Sequence, residues 1–102
     1  MKLYVFNLFE GYGAIFELVG ADSLEEAKEL LRDEVRTRWN YLINDMKKKQ
    51  GENWSVDTEN LYYRWMVNDL QAIDAAGNFI GEMPMEKGVL NRKYNVDVLS
   101  IE

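Results

Sequence analysis

The stretch from Asp22 to Gln50 constrains the fold more than any other part of the chain. At 100° per residue, Leu24, Ala27, Leu31, Val35, Trp39, Leu42 and Met46 fall within about 120° of one another. A helix there carries one apolar side for roughly six turns. Its start is marked by Ser23 and Glu26, spaced to satisfy each other's backbone amides in a capping box. Its end is marked by Lys47, Lys48 and Lys49, which complement the helix dipole, and by Gly51 as a C-terminal cap. A helix over residues 23–49 with such a stripe must bury it against other elements.

The neighbouring segments read as strands. Tyr4, Val5, Phe6 and Phe9 give residues 2–9 an extended preference, and residues 14–20 return as a second strand. Between them, Glu10-Gly11-Tyr12-Gly13 reads as a tight turn. Its bare GxG joins two strands and has no third glycine at the offset of a dinucleotide fingerprint, so a phosphate loop is not indicated. Residues 52–60 read as a loop. Residues 61–67 have strand-forming composition, extended by 70–73, with a helix as the competing reading. Ala75-Ala76-Gly77-Asn78 predicts a hairpin turn before a strand over 79–83. Residues 85–92 predict a loop, and 94–101 a last strand. The expected order is β-β-α-β-β-β: one α+β domain over 1–102, with the long helix on an antiparallel sheet.

Composition removes several chemistries. The chain has no cysteine and no histidine. Disulfides, thiolate chemistry and His-based nucleophilic triads are therefore impossible, and a zinc site loses its usual ligands. No catalytic motif stands out, and neither an enzyme, a cofactor nor a metal is expected. The first residues lack the roughly 7–15-residue apolar core and small-residue cleavage site of a signal peptide, and no run approaches the ~20 apolar residues of a membrane span. A cytoplasmic location is the expectation.

The charges point to surface roles. Glu29–Arg32, Asp33–Arg36 and Glu34–Arg38 lie at ion-pairing spacings along the helix. Lys28, Arg32, Arg36 and Lys47 share a flank, but Glu25 and Glu29 interleave with them, and the net charge of −6 disfavours nucleic-acid binding. Asp57/Glu59, Asp69/Asp74 and Glu82/Glu86 are carboxylate pairs without a calcium-loop pattern, and read as solvated acids.

The segment 52–59 carries Glu52, Trp54, Asp57 and Glu59 and no basic residue. An aromatic anchor with an acidic rim is an interface composition. The plainer reading is that Trp54 folds back as a lid on the helix end. Tyr12, Glu52, Trp54, Asp57, Glu59 and Tyr62 are the candidate partner-binding residues. Aromatic residues are dense between Trp39 and Trp65, but no positive groove accompanies them, so core packing is favoured over base stacking.

Strands 2–9 and 61–67 are apolar on both faces, whereas a half-exposed strand alternates. The surplus face calls for a curled sheet, a second helix, another copy pairing through the sheet, or a different protein. The expected function is a small acidic, non-enzymatic protein-binding module. One form of it occupies a partner's basic, nucleic-acid-binding surface, by analogy of size and charge with small phage-encoded anti-defence proteins. A binder of small ligands in an aromatic-lined pocket and a subunit of a larger assembly are the alternatives.

Overall fold

The computed structural model describes residues 1–8, 16–82, 84 and 86–90. Four strands, β1 (Lys2–Asn7), β2 (Phe16–Ala21), β3 (Asn78–Glu82) and β4 (Gly88–Val89), form an antiparallel sheet in the order β3-β1-β2-β4. Two helices, α1 (Leu24–Gln50) and α2 (Val56–Ala75), follow β2 and are joined by a short 3₁₀ turn, Gly51–Asn53. The α+β class and the long helix on an antiparallel sheet are present as expected. The turn at 10–13 and the strand expected over 94–101 lie outside the described residues.

The start of α1 forms as its sequence dictates. The Ser23 hydroxyl accepts from the Glu26 amide at 3.1 Å, while the Glu26 carboxylate accepts from the Asp22 amide at 2.9 Å, one residue before the amide a strict capping box would use. Lys87 donates to Asp22 and Glu26 at 3.1 and 2.9 Å, tying the approach to β4 onto this helix end. At the other end Gly51 takes a positive φ of 51° and its amide bonds to the Lys47 carbonyl.

Four expectations need correction. Residues 61–67 are not a strand: they lie within α2, and residues 52–60 are mostly helical rather than loop. Ser55 caps α2 by accepting from the Thr58 amide at 3.1 Å, with Asp57 and Glu59 in the first turn. Local strand preference yields here because Tyr62, Met66, Leu70 and Ile73 recur at helical spacing and pack toward α1. The expected turn over 75–78 therefore connects a helix to a strand, not two strands. The segment 85–92, read as loop, contributes β4, which pairs with β2 at Val19 and Gly20.

One core lies between α1 and the sheet. Tyr4, Phe6, Val19 and Ala21 meet Ala27, Leu31 and Val35, and α2 adds Ile73. The core reaches along α1 only as far as Trp39. Beyond it α1 is flanked by α2, and the buried side turns with it: Ile43 is 1% exposed, whereas Leu42, on the expected stripe, is 39% exposed. Gly77 makes the turn from α2 into β3 at φ +111°, where a Cβ would meet Leu24 and Phe6 at 2.8 Å.

A smaller apolar cluster lies on the second face of the sheet. Leu3, Leu18 and Leu90 are buried together, with Val5 packed against them. On the edge strand β3, Phe79 and Ile80 remain exposed. The edge strand β3 also carries a register shift opposite Leu3 and Tyr4, and bulges of that kind discourage edge pairing.

Candidate functional site

The two helices run antiparallel and are held by polar ties along their length. Lys28 donates to the Asp74 carbonyl at 3.1 Å, and Arg32 pairs with the Asp74 carboxylate. The Trp39 indole donates to Asp69 at 2.7 Å, and Lys47 meets Glu59 at 2.6 Å. Arg32 thus engages α2 rather than Glu29, while Asp33–Arg36 and Glu34–Arg38 form along α1 at 3.2 Å each, as their spacing predicts. The basic flank read from the sequence is consumed: Lys28, Arg32, Arg36 and Lys47 each face an acid. Asp69 and Asp74 are spent holding α1, not paired with each other.

The candidate residues gather at the far end of this hairpin. Trp54 is half-buried in extended backbone after the 3₁₀ turn. Its ring stacks on Tyr62 at 5.5 Å and its indole donates to Glu59 at 3.4 Å. Tyr62 in turn meets Trp65 edge-on at 5.2 Å and Trp39 at 6.3 Å. Trp54, Glu59 and Tyr62 therefore form one packed unit that closes the interhelical turn, with Trp54 folded back onto α2. Glu59 is held below the usual carboxylate range, first by its hydrogen bond from Lys47 and then by that from Trp54. Lys47 is raised by the same contact. Glu52 and Asp57 remain exposed, with no ion pair among the described residues. Tyr12 lies outside the described residues.

Elsewhere a carboxylate is buried. Glu17, 3% exposed on β2, receives both terminal nitrogens of Arg38, at 2.5 and 3.3 Å. Burial lowers the Arg38 pKa, but Glu17 and then Glu34 outweigh it, and the net shift is upward. Beside this pair lies an open depression of about 330 Å³ over Glu34, Thr37, Arg38 and Tyr41. Tyr41 is the one aromatic residue that lines it, while Trp39, Trp54, Tyr62 and Trp65 pack on one another. No three acidic side chains converge as a metal-ligand set among the described residues.

The surface feature missed in the sequence is the outer side of α2. Of nine large apolar residues exposed among those described, five are on it: Val56, Leu61, Tyr63, Trp65 and Val67. Read as a strand, Leu61, Tyr63, Trp65 and Val67 share one face. On a helix they spread over two flanks, with Val56, Tyr63 and Val67 on one and Leu61 and Trp65 on the other. No helix among the described residues is long and apolar enough to cross a membrane. Comparison with protein-family models, with curated proteins and with solved structures returned no match, so function rests on the chain's own residues.

Proposed function

We propose that this chain is a non-enzymatic protein-binding module that docks through α2. The observation that carries the reading is the stripe of Val56, Tyr63 and Val67, 74%, 40% and 45% exposed. Their spacing of seven and then four residues places them within about 40° of one another, as in helices that lie in an apolar groove of a partner. The polar ties to α1 hold this stripe rigid, so little ordering entropy opposes docking. A photo-crosslinker at Val67, compared with one at Glu29, identifies the partner in the native host. The purified partner then binds the wild-type chain, and Val67→Asp weakens that binding at least about tenfold. Binding unchanged by both Val67→Asp and Tyr63→Asp removes the reading.

A second form of the same function is supported by Glu52 and Asp57, exposed without ion pairs among the described residues, and by the net charge of −6. These carboxylates would stand where phosphates sit in a partner's basic groove and block it. Affinity that falls steeply with rising salt favours this form, and affinity indifferent to salt leaves the apolar stripe as the contact.

A further inference from the structure

The other flank of α2 carries a charge pattern with its own consequence. Asp57, Leu61, Arg64 and Trp65 fall within about 100° of one another at helical spacing. Leu61 and Trp65 are 38% and 42% exposed, and Asp57 and Arg64 are exposed as well. Arg32, Arg36 and Arg38 are ion-paired, whereas Arg64 makes no ion pair among the described residues, and neither does Asp57. One unspent acid and one unspent base thus stand seven residues apart, two turns along the same flank, with an exposed leucine between them.

That pattern is complementary to itself. Two such helices laid antiparallel about a twofold axis beside Leu61 bring Asp57 of each against Arg64 of the other, with the two Leu61 side chains meeting at the axis. A parallel arrangement would instead oppose Asp57 to Asp57 and Arg64 to Arg64. We propose that this flank of α2 binds a second copy of the chain in the antiparallel sense. The sheet does not obstruct the approach, because its core reaches along α1 only to Trp39 and the first turns of α2 lie beyond it. The contact spans only a few helical turns, smaller than a standard interface, and the association is weak and salt-sensitive. It uses a different flank from the Val56–Tyr63–Val67 stripe, and its failure would leave that reading standing.

The test is sedimentation equilibrium of the full chain at concentrations up to about 1 mM, at low and high salt. Wild type shows a monomer–dimer equilibrium that salt weakens. Asp57→Arg alone and Arg64→Asp alone each lower the association constant about tenfold, since two attractive contacts become two repulsive ones. An equimolar mixture of the two single variants recovers association, because each now supplies what the other lacks. The double variant recovers it too. Should either single variant fail to fold by circular dichroism, the cysteine-free chain permits a second measurement: Leu61→Cys cross-links to itself on mild oxidation and Asn68→Cys does so far more slowly. Wild type that stays monomeric throughout overturns the proposal, as does a mixture no more associated than its components. Equal cross-linking at positions 61 and 68 overturns it also.

Discussion

Two carboxylates show how far single residues are committed. Glu59 joins Lys47 of α1 to the indole of Trp54, and its ionised form is the one these contacts favour. Its stabilising contribution is fully present above the ordinary carboxylate value of 4.5 and is lost as pH falls through the lower, folded-state value. The stability difference between wild type and Glu59→Gln therefore shrinks as pH drops below 4.5, read by urea unfolding followed through tryptophan fluorescence. Lys47 gives the mirror case: its contribution is present below 10.5 and is lost as pH rises through its raised value. Glu17 is committed differently, because it is buried. Removing Arg38 strands a carboxylate that water cannot reach, and Arg38→Ala destabilises the fold by about 1–3 kcal/mol in chemical denaturation, tempered by the partial exposure of the guanidinium. Glu17→Gln combined with Arg38→Ala recovers part of that loss.

At the scale of elements, the connection from α2 into β3 is the least forgiving. Gly77 holds a positive φ and leaves no space for a Cβ beside Leu24 and Phe6. Gly77→Ala lowers stability by about 2–4 kcal/mol, combining backbone strain with overpacking. Ile73, the residue by which α2 enters the main core, is fully buried, and Ile73→Ala costs about 2–5 kcal/mol. Thermal or denaturant unfolding checks both. The helix α2 also shows how much of an element the sequence discloses. Ser55 followed by Asp57 and Thr58 is a legible helix start, and Tyr62, Met66, Leu70 and Ile73 keep a helical period. The composition of 61–67 masked both signals, because aromatic and β-branched residues suit a strand wherever a neighbouring strand exists to pair with them.

For the whole molecule, the long helical hairpin carries mass away from the sheet. The Cα radius of gyration is 15.2 Å, against about 13 Å for a compact chain of this length, and the principal extents are 49 × 27 × 22 Å. Two regions of unequal protection follow. Amides of β1, β2 and α1 as far as Trp39 surround the shared core and should exchange slowest. Those in the first turns of α2, where Val56 and Asp57 are exposed, should exchange sooner. Hydrogen exchange resolved by segment reads the order directly, and uniform protection along both helices would refute it.

The sequence by itself determined the first helix, its caps, the existence of two strands before it (read as 2–9 and 14–20, found as Lys2–Asn7 and Phe16–Ala21), and the absence of thiol and imidazole chemistry. Each of these follows from neighbouring residues or from simple composition. It also indicated that Trp54 folds back, as the plainer of two readings. Only the tertiary structure decided that 61–67 is helix and that Leu90 is buried with Leu3 and Leu18 on the far face of the sheet. It likewise decided that Arg32 leaves Glu29 for Asp74, and that Glu59 is spent on Lys47. These outcomes depend on which surfaces meet across long sequence separations, and local spacing carries no term for that. The exposed flanks of α2 belong to the same class: their side chains are apolar in any fold, but which of them meet water is set by where α1 lies.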